Sequence, residues 1–108
     1  MPKVYVVNRS CHDFTKAEEF GEIVFLTIGN VNRYATSNMY RKFEREMKKS
    51  SPEDYMLLSG MTVMSVIACG MFSMLHKRLN LLIWKSDRKE YIERIIIMEE
   101  LREDKNES

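Results

Sequence analysis

Short apolar runs separated by a polar connection occupy the first part of the chain. The run "VYVVN", residues 4–8, is β-branched and aromatic, which predicts a buried strand. The run "EIVFLTIG", residues 22–29, predicts a second strand. Between them, Thr15 and Glu18 have the spacing of a capping box and Gly21 can end a helix, so one or two helical turns fit there.

A four-residue apolar period begins after residue 38. Charged side chains fill most of the positions in between, a pattern typical of an amphipathic helix with one apolar stripe. The helix is predicted to start near Thr36 or Ser37, and "SSP" ends it because Pro52 disfavours helical geometry in the residue before it. The apolar positions are Met39, Phe43 and Met47.

The longest uncharged stretch, residues 55–75, has two interpretations. Its 21 positions are enough for a membrane-spanning helix. However, Ser59 and Gly60 introduce turn chemistry, which leaves "DYMLL" at the length of a strand and residues 62–77 at the length of a helix. Because strands and helices alternate on both sides, we favour a strand, a turn and a helix in a soluble domain.

Two apolar runs, "RLNLLIWKS" and "EYIERIII", flank "DRK" near the end of the chain, and this spacing predicts a β-hairpin. Residues 91–101 also fit a helical period through Ile92, Ile95 and Ile96, so a helix is the alternative. The β-branched side chains favour a strand through Ile97.

These elements predict one α/β domain over residues 1–97, followed by a charged, frayed tail over residues 98–108. Crossover connections allow the first four strands to lie parallel, and the hairpin adds the last strand antiparallel. The predicted fold is a small Rossmann-like sheet of about five strands in two or three layers, mostly parallel with an antiparallel C-terminal hairpin.

The charges of the chain nearly balance. Lys and Arg number 17 against 16 Asp and Glu, so the composition indicates neither a nucleic-acid-binding protein nor an acidic mimic. Arg41 and Arg45 alternate with Glu44, which favours a solvated helix face over a nucleic-acid surface. The chain shows no secretory signal, so we expect a cytoplasmic location with Cys11 and Cys69 as free thiols.

Polar residues follow three of the predicted strands, in "NRS", "TIGNVNRY" and "SGMT". Ligands of such sheets bind beyond the carboxyl ends of the strands, and the free amides of a helix amino end with two guanidinium groups favour an anion or a nucleotide phosphate. Against this, polar loop residues also make ordinary turns, and the chain has neither a P-loop nor a GxGxxG motif. The predicted ligand-binding residues are Asn8, Arg9, Asn30, Asn32, Arg33, Ser59, Gly60 and Thr62.

Catalytic and metal-binding patterns are weak in this chain. Cys11, His12 and Asp13 are adjacent, but a nucleophile, its base and an orienting acid must converge, whereas sequence neighbours diverge. Zinc needs three or four ligands with suitable spacing, and the two Cys and two His do not supply it. We predict no catalytic residue, metal or cofactor, with a weak hydrolase using Cys11 or His12 as an alternative.

Small side chains line one face of the second long helix at steps of three and four residues, among them Ser65, Cys69 and Ser73. The other faces of that helix are also apolar, and such a helix must be covered on nearly every side, whereas a sheet covers only one. We predict that Ser65, Cys69 and Ser73 form an interface with a second copy of the chain, and cover from within the chain is the alternative.

The blocks "VYVVNRS", "EIVFLTIGNVNRYATSNMYRKF", "SPEDYMLLSGMTVMSVIACGMF" and "RLNLLIWKSDRKEYIERIII" together resemble small uncharacterised proteins encoded by tailed bacteriophages. The resemblance covers nearly the whole chain except the tail, and it implies a virus-encoded accessory protein in the host cytoplasm. The leading prediction is a non-enzymatic protein that binds a small anionic or nucleotide ligand at the strand ends. The alternative is a protein-interaction module that uses helix 62–77 to bind its own copies or a host factor, for example against host defence.

Overall fold

The computed structural model describes residues 1–9, 12–59 and 61–98, in which strands and helices alternate. The predicted strands and long helices are all present, and a strand at Glu90–Ile97 excludes the helical alternative. Residues 99–108 of the predicted tail lie outside the described residues. The elements are β1 (Lys3–Val6), a 3₁₀ helix (Thr15–Glu19), β2 (Glu22–Phe25), α1 (Thr36–Met47), β3 (Tyr55–Leu57), α2 (Thr62–His76), β4 (Arg78–Lys85) and β5 (Glu90–Ile97).

The five strands form one sheet in the order β2-β1-β3-β4-β5. The pairs β1–β2, β1–β3 and β3–β4 are parallel, and β4–β5 is an antiparallel hairpin in which Trp84 lies across from Tyr91. The predicted α/β fold, mostly parallel with an antiparallel C-terminal hairpin, is therefore confirmed. One edge of the sheet is the four-residue β2 and the other is the eight-residue β5.

The two faces of the sheet are covered unequally. Both α-helices pack on one face, where the buried side chains of Tyr5, Met56 and Leu79 meet them. The other face is covered by the five-residue 3₁₀ helix, whose Ala17 packs near Val6. Alternate residues of a strand point to opposite faces, so Tyr5 and Val6 belong to different cores. The buried side chains of the helices are Met39, Phe43 and Met47 in α1 and Met64, Ala68 and Phe72 in α2.

The uncharged residues 55–75 form β3, a connection and most of α2. The helix ends because Lys77 takes the left-handed conformation, with φ of 57°, while its N–H donates to the Ser73 carbonyl oxygen at 2.8 Å. β4 begins at the next residue. In the part of the chain that the structure describes, no helix has both the length and the apolar character needed to cross a membrane.

A buried polar cluster ties β1, β3 and β4 together near their amino ends. The Asn80 side chain donates from Nδ2 to the carbonyl oxygens of Pro52 and Asp54, at 2.6 and 2.7 Å. The Asp54 carboxylate in turn accepts the backbone N–H groups of Lys3 and Ser51, at 2.9 and 2.8 Å. Asn80 and Asp54 are both 2% exposed, so water cannot replace these contacts.

We predict that Asn80→Ala destabilises the protein by about 3 kcal/mol, because it leaves two buried carbonyl oxygens without a donor. Urea unfolding followed by circular dichroism measures the change in the free energy of unfolding. The matched control is Asn30→Ala at an exposed position, with an expected change below about 0.5 kcal/mol. Equal effects of the two substitutions would show that the Asn80 cluster does not stabilise the fold.

Candidate ligand-binding site

The strand order creates a crevice at the carboxyl edge of the sheet. β1 has β2 on one side and β3 on the other, so the direction in which strands are added reverses between β1 and β3. In doubly wound sheets of the order 2-1-3-4-5, ligands bind at this switch point, outside the carboxyl ends of the two strands. The connections that follow β1 and β3 therefore flank the expected position of a ligand.

A pocket of about 430 Å³ occupies this position on the face covered by the 3₁₀ helix, and we call it the switch-point pocket. Its volume lies in the range of small-molecule sites in proteins. The connection after β1, the connection after β3 and the hairpin β4–β5 all contribute to it. The lining residues are His12, Asp13, Phe14, Lys16, Leu58, Ser59, Trp84 and Tyr91.

The hairpin gives the switch-point pocket an aromatic wall. The rings of Trp84 and Tyr91 meet edge to face with centroids 5.0 Å apart, as the cross-strand pairing of the two residues requires. Trp84 is 43% exposed, whereas Tyr91 and Phe14 are buried. Burial raises the pKa of the Tyr91 hydroxyl, and the nearby Asp13 carboxylate raises it further, so Tyr91 stays protonated near neutral pH. The wall thus offers an exposed indole next to a neutral phenol.

Charged side chains lie on the opposite wall, before and within the 3₁₀ helix. Thr15 donates its hydroxyl and its backbone N–H to the Asp13 carboxylate. Both bonds lower the pKa of Asp13, and the bond from the hydroxyl has the larger effect. The Lys16 ammonium donates to the Lys89 carbonyl oxygen at 2.6 Å, which links the 3₁₀ helix to the hairpin turn. An ammonium has three donors, so Lys16 can bind a second acceptor at the same time.

Ser59 contributes a buried hydroxyl at the carboxyl end of β3. Within the residues that the structure describes, its Oγ is buried and has no hydrogen-bond partner. A buried hydroxyl without a partner is costly, by about 1–3 kcal/mol. Ser59 lines the pocket, so rotation of its side chain to another staggered rotamer would turn this hydroxyl toward a ligand.

Two predicted ligand-binding residues, Asn8 and Arg9, take part in contacts at the end of β1. Asn8 donates from Nδ2 to the Gly29 carbonyl oxygen at 3.1 Å and lies 2.9 Å from the Thr27 hydroxyl through Oδ1. The Arg9 guanidinium lies over the Phe25 ring, 5.6 Å from its centroid. Both side chains thus join the ends of β1 and β2.

Asn30 and Asn32 lie in a second hollow, of about 330 Å³, where the chain enters α1. We call this the α1 hollow, and Arg41 and Lys42 also line it. Asn32 has a turn role there, because its Oδ1 accepts the backbone N–H of Tyr34 at 2.9 Å. The predicted site residues therefore divide between two places instead of converging on one.

Of the remaining predicted site residues, Arg33 and Thr62 are exposed, at the approaches to α1 and α2, and Gly60 lies outside the described residues. Among the described residues of the predicted set, Ser59 lines the switch-point pocket and the others do not. Sequence reasoning missed Lys16, Trp84 and Tyr91. The turn spans the four residues 86–89, which places Trp84 opposite Tyr91, whereas a turn of "DRK" alone would place Trp84 opposite Ile92, so the predicted hairpin did not reveal this pair.

The predicted interface residues Ser65, Cys69 and Ser73 are half-buried along one side of α2. The Ser73 hydroxyl donates to the Gly70 carbonyl oxygen of its own helix at 2.9 Å, and burial raises the pKa of the Cys69 thiol. α1 packs against α2 and provides part of the cover from within the chain. Cys11, the other cysteine predicted to be a free thiol, lies outside the described residues.

Few of the described residues are arranged for catalysis or for metal binding. No group of three or more Cys, His, Asp or Glu side chains in residues 1–9, 12–59 and 61–98 could hold a metal ion. His12 contacts Phe14 edge to face, with ring centroids 6.3 Å apart. His76, on α2, lies 2.8 Å through Nε2 from the Ser50 hydroxyl, which itself donates to the Met47 carbonyl oxygen at 2.5 Å. This pair therefore closes the end of α1.

Comparison with known proteins gives one match. A family model described as Phage Pam3 gp32-like protein matches residues 2–98. No curated protein and no solved structure matches the chain. The match covers all the strands and helices described above.

We predict that Thr15→Val raises the pKa of Asp13 toward its ordinary value, because the substitution removes the larger of the two contributions that lower it. Titration of the Asp13 carboxyl carbon by NMR measures the pKa. Thr15→Ser keeps a hydroxyl and is expected to leave the pKa low. An unchanged pKa in Thr15→Val would mean that Thr15 does not orient this carboxylate at the pocket rim.

Proposed function

The chain belongs to the Phage Pam3 gp32-like protein family, and from that premise we propose that it is a virus-encoded accessory protein that binds a nucleotide in the switch-point pocket. Binding, without chemical change of the ligand, is the proposed role. The proposed location is the host cytoplasm. The observation that carries the proposal is the buried Ser59 hydroxyl, which has no hydrogen-bond partner among the described residues, beside a pocket with an aromatic wall on one side and a lysine on the other.

The aromatic wall supports a planar ligand. A base that stacks on an aromatic side chain gains about 1–3 kcal/mol, and every nucleobase has a π-face for this contact. Trp84 is exposed enough to accept such a stack, and Tyr91 fixes its position from below. The volume of about 430 Å³ suits a mononucleotide better than a longer chain.

The polar wall supports the remainder of a nucleotide. The Lys16 ammonium has donors left for a phosphate oxygen, and a charge-assisted bond of this kind is about twice as strong as a neutral one. The Asp13 carboxylate can accept ribose hydroxyl groups, a role that acidic side chains have at other switch points. Ser59 then bonds to a base or ribose atom and loses its desolvation cost.

Trp84 allows a direct test, because it is the only tryptophan of the chain and it lines the pocket. We expect AMP to change its fluorescence with saturation, adenosine to do so at higher concentration, and inorganic phosphate to have little effect. No saturable change with AMP, adenosine or other mononucleotides would refute nucleotide binding in this pocket.

We predict that Lys16→Met weakens AMP binding about tenfold or more, the loss expected for one charge-assisted bond, and adenosine binding much less. The matched control is Lys42→Met, which removes a lysine from the α1 hollow and should leave AMP affinity unchanged. Arg33→Ala should also leave it unchanged. If Lys42→Met or Arg33→Ala abolished binding and Lys16→Met did not, the ligand would bind at the α1 hollow.

We predict opposite effects of Ser59→Ala on stability and on binding. Removing a buried hydroxyl that has no partner should raise the free energy of unfolding by about 1 kcal/mol, whereas AMP should bind more weakly. Urea unfolding and Trp84 fluorescence measure the two quantities on the same sample. A loss of stability in Ser59→Ala would mean that the hydroxyl has a partner within the fold, and the argument from Ser59 would fail.

A protein-interaction module is the second candidate function, and one observation favours it. Val66, Met74 and Leu75 of α2 are 66, 82 and 51% exposed, which is unusual for three apolar side chains of one helix. Of these, Met74 and Leu75 border a hollow of about 340 Å³ between the two helices, together with Met71 and Tyr40. Val66→Lys with Met74→Lys should leave AMP binding unchanged and abolish binding of a partner at this face.

A further inference from the structure

The outer edge of β5 is the longest unprotected edge of the sheet. Within the described residues no strand pairs with that edge, and β5 is eight residues long, against four for β2 at the other edge. Three consecutive isoleucines near its end are 50, 45 and 39% exposed. Soluble proteins usually guard such edges with lysine, proline, bulges or short strands. The exposed isoleucines are Ile95, Ile96 and Ile97.

A charged side chain that could guard this edge is turned away from it. Glu93 accepts a hydrogen bond from the Tyr55 hydroxyl at 2.5 Å, and Tyr55 is on β3, on the far side of β4. The same bond is the main cause that raises the pKa of Tyr55 to about 12. Glu93 therefore leans over the sheet toward β3, which leaves the edge open around Ile95.

The hydrogen bonds of the hairpin show which backbone groups are free. The Met98 N–H donates to the Lys77 carbonyl oxygen at 2.9 Å, next to the Arg78–Ile97 pair. Because hydrogen-bonded and non-hydrogen-bonded pairs alternate in an antiparallel ladder, the even-numbered residues of β5 bond to β4. The odd-numbered residues point their N–H and C=O groups outward. These are Tyr91, Glu93, Ile95 and Ile97. The Glu93 carbonyl oxygen accepts a hydrogen bond from the Arg94 guanidinium at 2.7 Å, and its second lone pair can accept a bond from another strand.

We propose that two copies of the chain pair antiparallel through β5, so that their sheets join into one of ten strands. With a two-fold axis perpendicular to the sheet, each face of one sheet continues into the same face of the other. Side chains that lie opposite each other must point to the same face, so odd-numbered residues pair with odd-numbered ones and even-numbered with even-numbered. Charge excludes some of the possible registers, and pairing of the exposed isoleucines with strand residues of the other copy chooses among the rest. Centring on Glu93 or Arg94 places like charges opposite each other, which is destabilising.

Centring the axis on Ile95 avoids this conflict. Ile95 then faces its own copy as a hydrogen-bonded pair, and Glu93 and Ile97 face each other in both directions. Arg94 lies opposite Ile96, so no like charges meet. The three hydrogen-bonded pairs supply about six backbone hydrogen bonds. The isoleucines leave water at the same time.

Other occupants of the edge fit less well. The ten residues after Met98, "EELREDKNES", contain one apolar side chain and cannot bury three isoleucines.

Contact through α2 would be a different dimer. α2 packs over β4, and two copies of β4 separated by two β5 strands would lie about 14 Å apart, beyond the 8–10 Å at which helices pack. Pairing through β5 and contact through Cys69 are therefore alternatives.

The test is the mass of the native chain in solution, measured by sedimentation equilibrium from about 1 to 100 μM. We expect a dimer of twice 12.8 kDa. Ile95→Lys puts two lysines opposite each other and should weaken dimerisation at least tenfold, with the circular dichroism spectrum unchanged. Ile83→Lys is the matched control, because Ile83 is also exposed but lies on β4, away from the edge.

Cross-linking tests the register in a background with Cys11→Ser and Cys69→Ser. Paired Cα atoms at the axis lie about 5.5 Å apart, within the range of a disulfide. Ile95→Cys should form a dimer when oxidised with diamide, and Ile83→Cys should not. A native chain that is monomeric up to 100 μM would overturn the proposal. So would a dimer that survives Ile95→Lys and is lost in Cys69→Leu.

Discussion

The position of β1 between β2 and β3 determines where the crevice of this small domain lies. Because neighbouring strands are added first on one side of β1 and then on the other, two connections part at its carboxyl end. A crevice therefore opens there. The buried cluster around Asn80 and Asp54 holds the amino ends of β1, β3 and β4 in register. Buried hydrogen bonds thus hold the amino ends of the strands, and the loops that line the crevice extend from the carboxyl ends.

The unequal cover of the two faces explains why the pocket lies where it does. Two α-helices bury the strand side chains of one face, so an opening that reached those strands would cost buried contacts. The other face has one turn and a half of 3₁₀ helix, which leaves Trp84 43% exposed. In a domain of this size, a thinly covered face is where an aromatic wall can stay accessible. The hairpin therefore serves both as part of the sheet and as one wall of the pocket.

The fold could be predicted from the sequence to the extent that local pattern determines it. The four-residue period of Met39, Phe43 and Met47 located α1, and β-branching located β5, because each signal lies within one element. Strand order was beyond reach, since it depends on contacts between distant segments. The predicted site suffered for the same reason. Asn30 and Ser59 both follow strands, yet they line different cavities because β1 lies between β2 and β3 in the sheet.

The direct passage from α2 into β4 has a consequence for how the chain tolerates change. Only Lys77 separates the helix from the strand, so the orientation in which α2 ends fixes which side chains of β4 point to each face of the sheet. Adding or removing one residue there would exchange the two faces of β4 and send Leu82 and Trp84 to the helix side. Natural variation in length is therefore expected to be rare at this junction and common in the hairpin turn. The left-handed conformation of Lys77 therefore determines on which face of the sheet the pocket lies.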